Sequence, residues 1–300
     1  MVDRTDIRTS NCTRPAAAWK VRAFNTLAAL TLSSTLVWLP PRANAQAADS
    51  SVQKTFFVAS DAAWLAAFTA GSYALSRVDP KIAQYFQQPK HQNEGGLRSV
   101  ANAFTRVQET TLTVGGILTY GIARLAGSRD VADIALHATE AVVAASLTSQ
   151  VIRGPLGRAR PKDAVPRFED QYEFHWFNGF RNFEYRAFPS IHSSSAFAAA
   201  TVVVMETKRR SPGSTWYVAP IAYAIAAGPG YSRMYLGQHW ASDILMGAFI
   251  GTFYGARIVS YSHDHPDNRF DRFFLGKPAS SGLNVMPVRG GWTFSYARQF

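Results

Sequence analysis

Six apolar segments, each long enough for a helix, follow one another between residues 56 and 261 of this 300-residue chain. They are rich in alanine, and their valine and leucine residues recur at mixed spacings of three and four, which favours helix over strand. The segments are Phe56 to Leu75, Val100 to Ala126, Val131 to Ile152, Ser193 to Glu206, Thr215 to Ala227 and Trp240 to Tyr261. The sequence therefore predicts an all-α fold, with a bundle of about six core helices in a domain over residues 54–262.

A long polar and aromatic loop, residues 162–188, separates the third and fourth predicted helices. It contains Phe168, Tyr172, Phe174, His175, Trp176, Phe177, Phe180, Phe183 and Tyr185. A connection longer than about 15 residues is usually functional or disordered, and this aromatic content argues against disorder. We expect the loop either to cap a site or to be an ordinary packed surface loop, and we expect His175 to be structural.

Residues 1–45 have the pattern of a secretory signal peptide. Lys20 and Arg22 precede an apolar run over residues 23–39, and an Ala-Asn-Ala triplet follows it at a typical cleavage position. An uncleaved anchor helix is the alternative. The one cysteine, Cys12, lies ahead of the apolar run, so a cleaved chain would have neither a disulfide nor a cysteine nucleophile. We expect export to the periplasm or cell envelope.

Charged residues within the apolar segments bear on whether the six helices span a membrane. Asp61, Arg106, Glu140 and Arg257 are among those that interrupt or flank the apolar segments, and a charge near the bilayer centre costs about 2.5–3.5 kcal/mol. These charges favour a water-soluble or peripheral bundle, while a membrane-spanning bundle with paired charges stays open. The net charge of +11 suits an anionic substrate or membrane surface, but it also fits plain solubility.

Residues 263–300 form a carboxyl-terminal tail of different composition. Trp292, Phe294 and Tyr296 alternate after an Arg-Gly-Gly turn, which predicts a short β-hairpin. The start of the tail has four potential metal ligands, His263, Asp264, His265 and Asp267. A proline interrupts them and no helical spacing unites them, so the sequence predicts no metal site there.

Three separated fragments carry residues suited to chemistry. The first runs Arg-Gly-Pro-Leu-Gly-Arg-Ala-Arg-Pro from Arg153, and the second, Pro-Ser-Ile-His, ends at His192. The third has Ser-Arg ending at Arg233, then five intervening residues before His239 and three more before Asp243. Together they supply guanidinium groups, backbone N–H groups at the start of a helix and two imidazoles, which are suited to binding and transferring a phosphoryl group. The third fragment alone is expected by chance in about one of several hundred chains of this size.

In type and order the fragments resemble the superfamily of type 2 phosphatidic acid phosphatases, bacterial non-specific acid phosphatases and vanadium haloperoxidases. That superfamily has Lys, six residues and Arg-Pro; then Pro-Ser-Gly-His; then Ser-Arg, five residues, His, three residues and Asp. The resemblance covers about residues 56–261 and does not extend to the two ends. It implies a metal-independent phosphatase without a cofactor that acts on a phosphomonoester, with lipid phosphates and polyprenyl diphosphates among the substrates it allows.

The resemblance also implies a role for each matching residue. His239 is the nucleophile, whose neutral imidazole becomes a phosphohistidine, and Asp243, one helical turn later, accepts its other ring N–H. His192 is the general acid that protonates the leaving oxygen. The phosphate ligands are Arg153, Arg160, Ser190, Ile191 through its peptide, and Arg233. Three further cations, Arg158, Lys162 and Arg167, lie outside the pattern and are expected to be surface charge.

Two residues depart from the superfamily's pattern. Arg153 stands where the superfamily has Lys, which keeps the charge but exchanges a point ammonium for a planar fork. Ile191 stands where it has Gly. If the backbone there needs a positive φ, the β-branched side chain would strain the loop, whereas with a negative φ the amide can still donate to phosphate.

Two other functions stay open from the sequence. The same residues could hold vanadate through His239, which would make the protein a vanadate-dependent haloperoxidase. Ile191 could instead mark a degenerate envelope protein that binds a partner through its hairpin. The interleaved base-reading residues of a nucleic-acid module do not occur in the basic fragment, so we expect no nucleic-acid partner. The sequence does not determine the oligomeric state.

Overall fold

The structure is a computed structural model that describes residues 55–275 and the backbone of residues 281–288 and 291–298. The predicted signal peptide, residues 1–45, lies outside the described residues. Over the described part the α-helices are α1 (Ser60–Ser76), α2 (Asp79–Gln87), α3 (Pro89–Gln92), α4 (Gly95–Phe104), α5 (Glu109–Leu125), α6 (Arg129–Leu156), α7 (Ile191–Arg210), α8 (Thr215–Tyr235), α9 (Ala241–Asp264) and α10 (Arg269–Phe274). This mostly helical content agrees with the predicted all-α class.

The hydrophobic core lies among α6, α7 and α9. Its buried members are Ala141, Val142 and Ala145 from α6, Ala198 and Val202 from α7, and Met246, Phe249, Ile250, Ile258 and Val259 from α9. From the outside, α1 adds Phe68, whose ring stacks on that of Phe249 at a centroid distance of 4.5 Å. The alanines allow the three helices to approach closely, so these helices fix the position of anything attached to their ends.

Glycines at every fourth position of α9 allow it to pack directly against α7. Gly247, Gly251 and Gly255 lie on one face of the helix because their spacing is close to one turn. A methyl group on any of them would collide with a carbonyl oxygen of α7 or its cap, on Ser190, Ser194 and Ala198 respectively. This close contact holds the start of α9 beside the start of α7.

Two of the core helices are also long and apolar enough to cross a membrane. By length and composition alone, α6 and α9 each contain an 18-residue window that could span a bilayer. In the folded chain, 44% of that window is buried in α6 and 50% in α9. The same two helices thus form the centre of the bundle, and a buried core helix satisfies the same length and composition criteria.

Two predicted helices have different limits in the structure. The predicted helix over residues 100–126 is divided into α4 and α5, because Gln108 adopts an extended conformation before Glu109. The helix predicted to end at Ala227 continues as α8 to Tyr235, with Pro220 and Pro229 inside it. Proline lacks the N–H that a helix interior requires, so Pro229 indicates an earlier helix end than the one at Tyr235.

The chain between α6 and α7, residues 157–190, begins with a turn and contains two short 3-10 helices, Asn178–Phe180 and Phe183–Tyr185. Gly157 ends α6 with a φ of +59°, a conformation that glycine adopts without strain. Another 3-10 helix, Pro212–Ser214, joins α7 to α8. Near the carboxyl terminus, β1 (Ser281–Val288) pairs antiparallel with β2 (Gly291–Arg298), with Ser281 opposite Arg298.

Candidate active site

The three fragments meet where the ends of α6, α7, α8 and α9 converge. Arg153 lies in the last turn of α6, and Arg160 lies in the chain just after that helix. Ser190 caps α7, whose first two residues are Ile191 and His192. Arg233 lies in the last turn of α8, His239 lies just before α9, and Asp243 lies in the first turn of α9. The rings of His192 and His239 are 6.2 Å apart between centroids. The backbone N–H of Ser190 donates to the carbonyl oxygen of Asp243 at 3.1 Å. The second and third fragments therefore touch directly.

His239 has one ring nitrogen fixed and the other free. Its Nδ1 lies 2.6 Å from the carbonyl oxygen of Ala187, and since a carbonyl only accepts, Nδ1 carries the proton. Burial, with Arg160 nearby, lowers the pKa of His239 well below its usual value. The ring is therefore neutral, and its lone pair is on Nε2, a buried atom without a hydrogen-bond partner among residues 55–275.

Asp243 lies near His239 but makes its hydrogen bonds elsewhere. Its Oδ2 is 3.6 Å from His239 Nδ1, beyond hydrogen-bond distance, and accepts from the backbone N–H of Trp240 at 2.7 Å. The expected bond between the aspartate and the imidazole is thus made by the Ala187 carbonyl. Asp243 caps the start of α9 and places a negative charge beside the ring, where it stabilises any positive charge that develops.

His192 is neutral. Burial and then the charge of Arg233 lower its pKa to about 2. Its Nδ1 is buried, with no partner in the described part of the chain. An anion bound among the arginines would oppose their effect and raise this pKa, so the protonation of His192 is coupled to occupation of the site.

Three arginines form a cationic cluster around the histidines. Burial and the nearby charge of Arg186 lower the pKa of Arg153 to about 10, and burial and the charge of Arg153 lower the pKa of Arg160 to about 10. Burial also lowers the pKa of Arg233. All three stay charged at neutral pH. Buried like charges without a counter-ion are unfavourable, so the cluster favours an anion.

Protein acceptors bind only some of the N–H donors of each guanidinium group. Arg153 donates through Nε to Gln150 at 2.7 Å, and Arg160 through Nε to the carbonyl oxygen of Phe183 at 3.0 Å. Arg233 donates through Nη2 to the Thr105 carbonyl at 3.1 Å. A guanidinium has five N–H donors, so these contacts fix each group and leave further donors for phosphate oxygens.

One carboxylate, Glu109, accompanies the arginines and was missed by sequence reasoning. Its negative charge offsets part of the lowering that burial causes in the pKa of Arg153 and of Arg233. Its Oε2 is buried and unpaired within residues 55–275. Glu109 begins α5, and the break before it, which the sequence did not indicate, brings it to the site.

Ser190 and Ile191 form the start of α7. The Ser190 hydroxyl accepts from the Ser193 N–H at 3.4 Å, so it caps the helix. Ile191 is fully buried, and its φ is not positive, since the described non-glycine residues with positive φ are Phe168 and Phe177. The isoleucine therefore fits a helical first turn, where the helix provides no acceptor for the N–H groups of Ile191 and His192.

Arg158, expected to be surface charge, is instead a buried residue behind the site. Only 3% of it is exposed. It forms ion pairs with Asp243 and, at 3.0 Å, with Asp79 Oδ2, and it donates to Ser242 Oγ at 2.9 Å. The Ser242 backbone N–H donates to Asp79 Oδ1 at 3.0 Å. This arginine ties α2 to the start of α9 and orients Asp243; Arg167, by contrast, is exposed.

Replacing Arg158 with Met is expected to destabilise the protein by about 3–5 kcal/mol, the cost of breaking a buried ion pair by removing one partner. Two buried carboxylates would lose their shared counter-ion, while the methionine would keep much of the volume. Arg167→Met is the matched control, since an exposed arginine should cost less than about 0.5 kcal/mol. Urea unfolding measures both, and equal stability of the two variants would contradict a supporting role for Arg158.

The loop between α6 and α7 packs against the cationic cluster. The centroid of the Phe183 ring lies 3.8 Å from the guanidinium carbon of Arg160, and the Arg160 backbone N–H donates to the backbone carbonyl oxygen of Glu184 at 3.0 Å. Four aromatic residues of this loop, Trp176, Phe177, Phe180 and Phe183 itself, are more than half exposed.

Residues 134–267 match the family model of the PAP2 superfamily. That segment contains every predicted site residue, from Arg153 to Asp243. The match agrees with the superfamily predicted from the three fragments, and it covers a little under half of the chain.

Two individual proteins are similar to parts of the chain. The lipid A 1-phosphatase of Porphyromonas gingivalis is 42% identical over 69 residues, which are 23% of this chain and 15% of that protein. The chain thus matches less than a sixth of that relative's length. The crystal structure of a transmembrane PAP2 type phosphatidylglycerolphosphate phosphatase from Bacillus subtilis aligns with 68% of this chain and 98% of its own, at 20% identity and a TM-score of 0.47.

Proposed function

We propose that the protein is a phosphatase that hydrolyses a phosphomonoester through a phosphohistidine on His239. The proposal is carried by the state of that ring, which is neutral, holds its proton on Nδ1 through the Ala187 carbonyl and has an unpaired Nε2. A neutral imidazole nitrogen with a free lone pair is a nucleophile. The surrounding guanidinium groups attract the phosphoryl group to it and stabilise charge on its oxygens during transfer.

The proposed reaction has two displacements. In the first, His239 Nε2 attacks phosphorus, the bond from phosphorus to the ester oxygen breaks, and the leaving oxygen takes a proton from His192. In the second, His192 removes a proton from water, the water oxygen attacks phosphorus, and the phosphorus to nitrogen bond breaks to release phosphate. The bound dianion supplies the charge that raises the pKa of His192 for the first step.

The cationic cluster replaces the charge that a metal ion supplies in other phosphatases. Arg153, Arg160 and Arg233 carry three positive charges against the two of a phosphate dianion, and Glu109 offsets part of the excess. The proposed mechanism therefore has no metal step and no cofactor.

The test is to trap the intermediate in the wild-type protein. With a ³²P-labelled phosphomonoester and a rapid denaturing quench, the label is expected on the protein in a linkage that acid hydrolyses and base does not. Turnover in the same assay should persist with EDTA, at a temperature well below unfolding. Turnover without labelled protein, or a label stable to acid, would exclude the phosphohistidine.

We further propose that the phosphate is carried by a lipid and that the protein works at a membrane surface of the cell envelope. The exposed aromatic side chains of the loop beside Arg160, Trp176 among them, support this substrate class, because aromatic rings favour the membrane interface. The name of the Porphyromonas gingivalis relative points to the same class. The signal-peptide pattern of residues 1–45 supports export.

Trp176→Ala is expected to raise the KM for a lipid phosphate in vesicles roughly tenfold, equivalent to about 1.4 kcal/mol of lost interfacial binding. Hydrolysis of a soluble aryl phosphate should be unchanged. Trp216→Ala is the matched control, since Trp216 is 79% exposed but begins α8, about 25 Å along that helix from Arg233. Equal KM values for vesicles in the two variants would contradict a lipid contact at the loop.

A further inference from the structure

A second cluster of ionisable side chains lies at the far ends of the core helices from the candidate active site. It consists of His137 on α6, Glu206 on α7, His263 on α9 and Asp271 on α10. His137 is 16 residues from Arg153 along α6, and Glu206 is 14 residues from His192 along α7. At a rise of about 1.5 Å per residue, these separations are about 24 and 21 Å. The cluster is thus independent of the catalytic residues.

Two imidazole nitrogens converge on one carboxylate oxygen in this cluster. Glu206 Oε1 lies 2.8 Å from His137 Nδ1 and 3.0 Å from His263 Nε2. One ligand atom from each of the three residues can be chosen so that all lie within 4.8 Å of one another. A tetrahedral zinc ion with bonds of about 2.0–2.2 Å holds its ligand atoms about 3.3 Å apart, so only small shifts are needed.

The rest of the carboxylate is already held in place. Glu206 is fully buried, and its Oε2 forms an ion pair with Arg210. Arg210 is in turn paired with Asp133, at 3.0 Å between Nη2 and Oδ2. These contacts orient Glu206 with Oε1 toward both imidazoles, as a metal ligand requires.

The second ring nitrogen of His137, Nε2, lies near a carboxylate, as is common for a histidine that binds a metal through its other nitrogen. His137 is only 3% exposed, and its Nε2, 3.7 Å from Asp271 Oδ2, has no hydrogen-bond partner in the described structure. Metal-binding histidines commonly donate this second N–H to a carboxylate. Asp271 is itself fixed, because Asn268 Nδ2 donates to its Oδ2 at 2.6 Å.

Charge and access also suit a divalent cation. The carboxylates of Glu206 and Asp271 flank His137, and Arg210, which pairs with Glu206, also pairs with Asp133 and Asp130. Carboxylates therefore outnumber guanidinium groups in and around the cluster. The side chain of His263 is 30% exposed, which gives an ion a path from solvent and leaves room for a water as fourth ligand. Two imidazoles and a carboxylate are a ligand set that suits zinc.

We propose that His137, Glu206 and His263 bind one Zn²⁺ that fastens α6, α7 and α9 together at this end of the bundle. On binding, the metal takes the lone pairs of His137 Nδ1 and His263 Nε2 in place of their hydrogen bonds to Glu206. An imidazole that carries two protons releases one of them to solvent, and each ring keeps one proton on its other nitrogen. The sequence predicts no metal site formed by the residues from His263 to Asp267. In the structure, His263 joins His137 and Glu206, which are distant in sequence. His265 instead lies against its own helix, with Nδ1 3.1 Å from the Tyr261 carbonyl.

The test compares zinc binding by the full-length, untagged protein with that of two single variants after dialysis against a chelator. His263→Gln removes a partly exposed ligand, so the variant is expected to fold. His265→Gln is the matched control, a nearby histidine outside the cluster. Competitive titration with Zn²⁺ and elemental analysis measure affinity and stoichiometry, and thermal unfolding with and without Zn²⁺ gives a separate readout.

Wild type and His265→Gln are expected to bind one Zn²⁺ per chain and to unfold at a higher temperature with it. His263→Gln should bind zinc at least about 100-fold more weakly than wild type, since loss of even a residue that only supports a metal ligand lowers metal affinity 10- to 100-fold. Phosphatase turnover should be the same in all three proteins. Equal affinity in His263→Gln, or no uptake of Zn²⁺ by wild type, would overturn the proposal and leave the cluster as ion pairs between helices.

Discussion

His239→Asn is expected to lose phosphatase turnover by about 10⁴-fold or more, the order that removal of a nucleophile costs other covalent catalysts. Asparagine can place an amide N–H near the position of Nδ1, so the bond to the Ala187 carbonyl, 2.6 Å in the wild type, can be kept while Nε2 is removed. The ³²P label on the protein should disappear with turnover. Steady-state rates and the quench experiment measure the two effects.

Phosphate binding provides the control for His239→Asn. The three arginines do not depend on the ring of His239, so the variant should still bind inorganic phosphate, with an affinity within about tenfold of wild type. Loss of both turnover and phosphate binding would indicate a disrupted site rather than a missing nucleophile. Turnover close to that of wild type would exclude His239 as the atom that attacks.

The class of fold could be predicted because it depends on local spacing, whereas the residues of the candidate site were proposed because three separated fragments resemble the motifs of a known superfamily. Alanine-rich segments with apolar residues at spacings of three and four favour helix, and α6, α7 and α9 lie where such segments occur. The position of Ser190 before an apolar run likewise indicates a helix cap, and its hydroxyl makes that bond. The helix limits were less accurate, as α8 shows by continuing through Pro229.

The supporting contacts could not be predicted because they join residues that are far apart in sequence. Arg158 looks like any cation in a basic loop until α2 brings Asp79 to it, 79 residues away. The Ala187 carbonyl that fixes His239 is a backbone atom 52 residues away, and no residue type marks it. The glycines of α9 gave a weak signal, a spacing of four, that could have indicated close helix packing.

Glu109 also shows why charge near a site is hard to assign from sequence. It follows a basic residue, Arg106, in what reads as one long apolar helix, and only the break before α5 brings it beside Arg153 and Arg233. A carboxylate there lowers the net positive charge of the site and limits the repulsion among buried guanidinium groups. The arginines favour binding of an anionic substrate, while Glu109 favours the stability of the folded protein.

His192→Gln is expected to lower turnover of an alkyl phosphoester by about 10²–10⁴-fold, the contribution of a positioned general acid or base. An alkoxide is a poor leaving group without a proton, so the first displacement should be slowed most. With an aryl phosphate, whose leaving group needs less protonation, the first step should lose less. The second step still needs a base for water, so labelled phosphohistidine should accumulate in this variant.

The pH dependence separates this role of His192 from a structural one. In wild type, kcat for the alkyl substrate should fall as pH rises through the pKa of His192 in the substrate complex, since its acid form is then lost. His192→Gln should have no such limb, whereas His175→Gln, a histidine in the loop paired with Glu173 at 2.9 Å, should keep it along with wild-type turnover. An unchanged alkaline limb in His192→Gln would assign the general acid to another residue.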